Sequence, residues 1–235
     1  MKTIWIIWWM SYESSLHYYE RINKQVNNIA WNLTCAKMII YSVNFEEIRK
    51  LMIDGERDKI ADKLIEVAKI LENAWADYLA IATNTMHKLG DRIQDAVNIP
   101  LIHIADCVAE KCIQKNVFNV WLLWTKYTMT EDFLINRLEK NWLTVTVPMN
   151  EDAINEVDRI IFDELCKWEL KGQSKEYFVN LINSMINEKN INWIILWCTE
   201  IEMLIKQHDL NIPIFDTTQS HIDAITEYSL EKRLI

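Results

Sequence analysis

The sequence predicts an α/β fold made of two pseudo-symmetric halves, each a small doubly wound parallel sheet with helices on both faces. The first observation behind this prediction is that short apolar runs alternate with longer amphipathic stretches, which is the pattern of successive βα units. The second is a faint internal repeat: residues 4–9 are similar to residues 120–125, and residues 81–87 have a counterpart at 196–200. The chain therefore divides into two related halves, with a boundary near Pro100.

The elements follow in order from the apolar runs and the helical periodicity. The predicted strands are residues 3–7, 37–43, 78–82, 117–123, 143–147, 193–196 and 212–215. The predicted helices are residues 13–27, 57–73, 102–114, 131–140, 151–166, 174–188 and 221–234. In the second helix, Ile60, Leu64, Val67, Ala68 and Leu71 recur at helical spacing. This stripe is expected to pack in the core rather than to form a site.

Length, charge and cysteine content narrow the class of protein. A chain of 235 residues has ample apolar content for a core, and its net charge of −9 argues against a nucleic-acid binder. The five cysteines lack metal-like spacing and are odd in number, so reduced thiols in the cytosol are expected. No apolar run approaches the length of a membrane span, and residues 3–10 are too short for a signal peptide. We expect a soluble cytoplasmic protein with no nucleic-acid or membrane partner.

Polar residues end two apolar runs at corresponding places in the halves. The first is Thr-Asn-Thr at 83–85, and the second is Cys-Thr-Glu at 198–200. In an α/β fold these junctions are the carboxyl ends of strands, where ligands bind. Two such junctions facing one another would enclose a small molecule between a hydroxyl and a thiol. The sequence therefore predicts an active site between the two domains.

Each of these residues also has a purely structural interpretation. A free cysteine is commonly a buried, inert apolar residue, although the pKa of the Cys198 thiol could fall beside a helix N-terminus. Thr83, Asn84 and Thr85 could simply cap a helix after the strand. A threonine hydroxyl is a weak acid, so Thr83 would need an activating partner to serve as a base. The residues alone leave both interpretations open.

The ordered set of motifs along nearly the whole chain resembles the PLP-independent aspartate/glutamate racemase family. The matching segments include Thr-Asn-Thr-Met-His-Lys at 83–88 and Cys-Thr-Glu-Ile at 198–201, with further matches at 1–4, 10–15, 100–106, 125–129 and 215–218. The resemblance implies that residues 211–235 return to the first half. The implied domains are residues 1–100 plus 211–235 and residues 101–210.

The resemblance also implies a function and a set of site residues. Thr83 and Cys198 would be the catalytic pair, and Thr83 stands where many members of the family have a second cysteine. The implied substrate-binding residues are Met10, Ser11, Asn84, Thr85, Thr125, Thr128 and Thr199. The expected activity is racemisation of aspartate, glutamate or a broader set of amino acids by two-base proton transfer. No cofactor or metal is expected. The expected oligomeric state is a homodimer.

Tryptophan and glycine contents are both unusual. The chain has 3 Gly and 11 Trp, whereas an average protein has about 7% Gly. Every Trp falls where the resembling family has glycine: positions 5, 8, 9, 31, 75, 121, 124, 142, 168, 193 and 197. We hypothesise that UGA codons that specify glycine in the source were translated as tryptophan. The alternative is a genuinely tryptophan-rich core.

Two other functions are also compatible with the residues. A single reactive thiol resembles the arylmalonate decarboxylase branch of the same fold, in which one cysteine protonates an enolate. A catalytically silent amino-acid-binding protein is the other. A phosphate-binding glycine loop, a Ser-His-Asp pattern and a metal-ligand cluster are all missing from the sequence. A nicotinamide or pyridoxal cofactor is therefore not expected.

Overall fold

The computed structural model describes residues 1–8, 12–123, 125–126, 129, 132–147, 150–189, 193–197 and 201–231. These residues form two compact units, residues 1–104 with the C-terminal segment from 221, and residues 105–220. Each unit contains a parallel four-stranded sheet with helices around it. The predicted α/β class with two doubly wound sheets is confirmed. Within the described residues, no helix is both long and apolar enough to cross a bilayer.

The first unit is built around a sheet with strand order β2-β1-β3-β4. Its strands are β1 (Ile4–Trp8), β2 (Met38–Ser42), β3 (Tyr78–Ile81) and β4 (Leu101–Ile102). Its helices are α1 (Tyr12–Ala30), α2 (Phe45–Ile53), α3 (Arg57–Asn73) and α4 (Gly90–Gln94), with a 3₁₀ helix at Thr85–Leu89. β1 pairs in parallel with both β2 and β3, so the two central strands are flanked on each side.

Alternation along β1 and β3 explains why this sheet is covered on both faces. Trp5 and Ile7 of β1 belong to a buried cluster with residues of α3, including Leu64. Ile4 and Ile6 belong to a second buried cluster on the other face, with residues of α1 and of the C-terminal helix. Because successive side chains of a strand point to opposite faces, an uninterrupted apolar run requires helices on both sides. The stripe predicted along α3 is buried as expected.

The second unit repeats the arrangement, with strand order β6-β5-β7-β8. Its strands are β5 (Asn119–Leu123), β6 (Thr144–Thr146), β7 (Ile194–Leu196) and β8 (Ile214–Asp216). Its helices are α5 (Ile104–Gln114), α6 (Asp132–Lys140), α7 (Glu151–Asp163), α8 (Gly172–Lys189) and α9 (Ile201–Leu204), with 3₁₀ helices at Leu165–Lys167 and Gln207–Asp209. Helix α10 (Thr217–Ser229) starts in this unit and ends in the first.

Several details differ from the sequence-based expectation, among them the short helices α4 and α9, which were not predicted. The strand at Ile214–Asp216 pairs with β7 of the second sheet, so only α10 from His221 onward returns to the first unit. β4 was not predicted, because two residues after a proline carry no periodicity. α2 was also not predicted, although Asn44 followed by Glu47 is a capping pattern that could have indicated it. The Asn44 side chain accepts a hydrogen bond from the Glu46 amide at 3.2 Å.

Three helix ends place tryptophan in the left-handed backbone region. Trp75, Trp142 and Trp168 have φ of 62°, 68° and 62°, and their side chains are 89%, 81% and 64% exposed. Each follows a helical segment as the residue that closes a Schellman motif, in which two backbone N–H groups return to the last turn. At Trp142, for example, its own N–H donates to Glu139 O at 2.9 Å and the Leu143 N–H donates to Leu138 O at 3.3 Å. Glycine is the usual residue at this position.

Two further helix ends have the same hydrogen bonds and provide an internal comparison. Gly55, with φ 70°, closes α2, and Asn116, with φ 55°, closes α5. Glycine and asparagine are the residues that tolerate this conformation best, because other L-residues crowd Cβ against the following carbonyl. Two of the five equivalent ends thus have residues suited to the left-handed conformation, and the three tryptophans are not suited to it.

We expect Trp75→Gly to stabilise the first unit by about 1 kcal/mol, because relief of left-handed strain exceeds the extra chain entropy of glycine. Gly55→Trp is the matched control with the opposite sign. A Cβ at Gly55 would have no heavy atom within 4 Å, so the backbone conformation alone sets its cost. Urea unfolding of both variants at constant m-value measures the two effects. A neutral or destabilising Trp75→Gly would contradict the expectation.

Candidate active site

Thr83 lies at the carboxyl end of β3, the strand next to β1 in the first sheet. The strand is buried throughout, and the Ala82 amide donates to Ile7 O at 3.1 Å, so the pairing with β1 continues past the last strand residue. The chain then turns into the 3₁₀ helix at Thr85–Leu89. Thr83 is buried, and Asn84 and Thr85 are half-buried. The three residues predicted from the sequence therefore lie together where a parallel sheet binds ligands.

The hydroxyl of Thr83 has no hydrogen-bond partner among the described residues. Its Oγ1 is buried, with the residue only 6% exposed. The capping interpretation does not account for this segment, since Asn84 precedes the 3₁₀ helix without a side-chain capping hydrogen bond. A buried hydroxyl normally finds a partner, and leaving it without one costs about 1–3 kcal/mol. The arrangement is suited to a ligand that supplies the missing partner.

Three buried histidines lie beneath the Thr83 segment: His87, His103 and His221, called here the histidine cluster. The ring centroid of His87 is 4.7 Å from that of His103 and 5.4 Å from that of His221, both in edge-to-face geometry. His87 Nδ1 contacts Thr83 O at 3.0 Å, and His103 Nε2 contacts His87 O at 3.0 Å. The cluster thus joins the ends of two strands to the C-terminal helix.

The hydrogen bonds fix the protonation of the cluster. A carbonyl only accepts, so His87 carries its proton on Nδ1 and His103 donates from Nε2. His221 Nε2 donates to Ile102 O at 2.9 Å, which leaves Nδ1 to accept from the Tyr18 hydroxyl at 2.9 Å. Burial lowers the pKa of His221 to about 4. Burial, and then the neighbouring histidines, hold the pKa of His87 well below its usual range.

The site residues of the second half are only partly described. Thr125 is half-buried and follows β5, the strand equivalent to β1 in the second sheet. Met10, Ser11, Thr128, Cys198 and Thr199 lie outside the described residues. In the chain, Cys198 comes two residues after the end of β7, as Thr83 does after the end of β3. β7 and β3 hold the same place in their sheets, so the sequence offset of the two proposed catalytic residues is the same.

Other groups that could take part in chemistry are occupied elsewhere. Arg49 pairs with Glu46 at 2.8 Å and Lys167 pairs with Asp163 at 3.6 Å, all on exposed surfaces. Burial raises the pKa of the Cys112 thiol to about 12, which makes it a poor nucleophile. The described part of the chain holds no group of three or more His, Cys, Asp or Glu that could bind a metal ion.

Sequence reasoning did not identify His221 or Tyr18 as part of this region. His221 is more than 100 residues from the strand ends that it contacts, so no local motif links them. The available signal was a histidine within the buried face of α10, between Thr218 and Ile222. A fully buried histidine requires polar partners on both ring nitrogens or a strongly lowered pKa.

Each unit has a parallel sheet with a threonine, Thr83 or Thr125, just past one of its strands, which is where α/β proteins bind ligands. The family model of Asp/Glu/hydantoin racemases matches residues 7–225. An aspartate racemase homologue from Pyrococcus horikoshii OT3 is 38% identical, with a TM-score of 0.86, over 98% of this chain and 100% of that chain. A candidate Asp/Glu racemase from Yersinia pestis is 37% identical, with a TM-score of 0.94 and the same coverage.

The chain belongs to the Asp/Glu/hydantoin racemase family. It is therefore an isomerase, and the family supports a cofactor-independent amino-acid racemase. The Picrophilus torridus aspartate racemase is 19% identical, with a TM-score of 0.74, over 100% of this chain and 96% of that chain. At that identity the likeness shows the shared fold alone.

Stability should fall as the pH drops from 6.5 towards 4. The folded chain keeps His87 and His221 neutral, whereas the unfolded chain binds protons on both below pH 6.5. The slope is at most about 1.4 kcal/mol per pH unit for each histidine. His221→Gln keeps a donor for Ile102 O but cannot titrate, so it should flatten the slope. Urea unfolding at several pH values tests this, and an unchanged slope would contradict it.

Proposed function

We propose that this racemase interconverts the enantiomers of a small amino acid, aspartate, glutamate or a broader set, with Thr83 and Cys198 as the two bases. The observation that carries the proposal is the buried Thr83 hydroxyl, which has no partner among the described residues at the carboxyl end of β3. The position of Cys198 at the same offset after β7 supports it as the opposing group.

In the proposed reaction one base removes the α-proton and the conjugate acid of the other delivers a proton to the opposite face of the carbon. The electron pair of the broken C–H bond moves into the substrate carboxylate, which takes on enolate character. Backbone N–H groups and hydroxyls at the strand ends would stabilise that charge. Because a threonine hydroxyl is a much weaker acid than a thiol, the two half-reactions should be unequal.

Substrate binding is assigned to residues at the same strand ends. Asn84, Thr85 and Thr125 lie there, and Met10, Ser11, Thr128 and Thr199 are adjacent in the chain. Two cations that could meet an acidic substrate side chain, Arg49 and Lys167, are engaged in exposed ion pairs. This supports a specificity that is not restricted to aspartate.

The proposal also covers the binding partner, the location and the oligomeric state of the protein. The partner is a free amino acid, and the lack of metal-like cysteine spacing supports reduced thiols in the cytoplasm. We also propose a homodimer, on the resemblance to the family alone. Sedimentation of the purified protein would measure that state directly.

The test follows the α-proton and the configuration separately, in the printed chain and in a form with glycine at the 11 tryptophan positions. Each enantiomer is incubated in deuterated water without pyridoxal phosphate, and products are resolved by chiral chromatography. We expect inversion with solvent deuterium at the α-carbon in at least one form. Cys198→Ala and Thr83→Ala should each block inversion, because inversion needs a second proton carrier.

Three results would count against the proposal. Cys198→Ala that racemises at the parent rate would remove the thiol from the mechanism. Exchange absent in both forms with aspartate, glutamate and a broad panel, together with tight binding, would indicate a silent binding protein. Carbon dioxide release from a malonate without racemisation would indicate a decarboxylase on the same fold.

A further inference from the structure

We infer that the natural protein has glycine, not tryptophan, at positions 75, 142 and 168, and that one reassigned codon extends this exchange to all 11 tryptophan positions. At positions 75, 142 and 168 the inference rests on backbone geometry, and its extension rests on the match of the tryptophans to glycine positions of the family; neither requires the proposed function. Five helix ends among the described residues close with the same pair of Schellman hydrogen bonds. Glycine and asparagine close two of them, and tryptophan closes the other three.

Burial of the indole gives little compensation for tryptophan at these ends. The three indoles are largely exposed, so they bury little apolar surface in exchange for a strained backbone. Trp31, which directly follows α1, has φ 63° and is 74% exposed, and so repeats the same combination. An ordinary chain would rarely place a bulky aromatic at four left-handed positions, because residues without Cβ or with a short polar side chain fit there.

Tryptophans inside the sheets give a second line of support. Trp5 and Trp121 are fully buried on β1 and β5, and neither Nε1 has a hydrogen-bond partner among the described residues. Buried tryptophan normally finds an acceptor for its N–H. The exposed positions have a strained backbone, and the buried positions leave an indole N–H without a partner among the described residues. The two kinds of position share no structural requirement for an indole. Both are compatible with a small residue that has no side-chain donor, and glycine is the one that also adopts positive φ freely.

The test is peptide mass spectrometry of the protein isolated from its source cells. Trypsin releases residues 70–88 with position 75 and residues 141–159 with position 142. We expect each peptide to have the mass calculated with glycine in place of tryptophan. We also expect the gene to have UGA at each corresponding codon. The peptide of residues 51–57, which contains Gly55, is the internal control and should keep its printed mass. Tryptophan in either of the first two peptides would overturn the inference.

A second inference comes from the histidine cluster and rests on the proposed function. We propose that His87 is a positioning residue for Thr83. Its Nδ1–H donates to the Thr83 carbonyl at 3.0 Å, and its ring is held edge-on by His103 and His221. A bond to the carbonyl fixes the peptide plane of Thr83, and that plane sets the direction of the adjacent side chain.

The packing around His87 restricts any other arrangement. Its Nε2 is buried without a hydrogen-bond partner among the described residues, so the ring keeps its place by bonding at Nδ1 and by packing. A Cβ on Gly90 would lie 2.8 Å from the His103 ring, which shows how closely the backbone confines the cluster. A buried polar group left unsatisfied is costly, and such costs often accompany functional positioning.

The experiment compares His87→Asn with His87→Gln in the form of the chain that exchanges the α-proton. Asparagine places an N–H where Nδ1 stands, whereas glutamine places it where Nε2 stands. We expect Asn to retain exchange for both enantiomers. His87→Gln should slow α-proton exchange by up to about a hundredfold for one enantiomer only. That enantiomer is the one whose exchange Thr83→Ala also impairs. Tyr18→Phe removes the Tyr18 hydroxyl bond to His221 but leaves the His87 bond to Thr83 in place, so the ratio of the two exchange rates should be unchanged.

The outcomes separate this inference from the proposed function. Equal loss for both enantiomers in His87→Gln, or equal activity of the Asn and Gln variants, would overturn the positioning role while racemisation itself stands. A parent chain that exchanges neither enantiomer would overturn the proposed function and the positioning role together.

Discussion

The burial of β1 and β3 on both faces is the constraint on which the first unit depends. Alternate residues of these strands enter two separate apolar clusters, and the one side-chain hydroxyl on them, that of Tyr78, donates to Ile225 O. Polar chemistry is therefore restricted to the strand ends, where the backbone leaves the sheet. Thr83 is the second residue after β3, and it is buried while its neighbours Asn84 and Thr85 are partly accessible. The site is thus a consequence of how the sheet is covered.

The same burial determines the state of the histidine cluster. Far from water, His87 and His221 have lowered pKa values, and the carbonyl that each histidine faces dictates its proton position. The cluster replaces the hydrogen bonds that the ends of β3 and β4 would otherwise make with water. It links a strand end to a helix that is distant in the chain, and so couples the order of the candidate site to the folding of the C-terminal segment. Function and stability share these side chains.

Several tryptophans do not fit the local structure in which they lie. Local backbone conformation, helix capping and burial of polar atoms usually agree in a natural sequence. Here the helices end as their hydrogen bonds require, but the residue at the turn is suited to neither the backbone nor the solvent. These conflicts recur at one residue type, across exposed turns and buried strands alike, and so point to that residue rather than to the fold.

The sequence by itself determined the class of fold, seven of the strands and the polar residues at two strand ends. These follow from short-range patterns: apolar runs, helical spacing and the change to polar residues at a boundary. Tertiary structure decided what lies far apart in the chain. It placed the strand at Ile214–Asp216 in the second sheet, joined His221 to Ile102, and left the Thr83 hydroxyl without a partner among the described residues. Strand pairing and the partners of a buried polar atom depend on which elements meet in space. Local periodicity does not determine which elements meet.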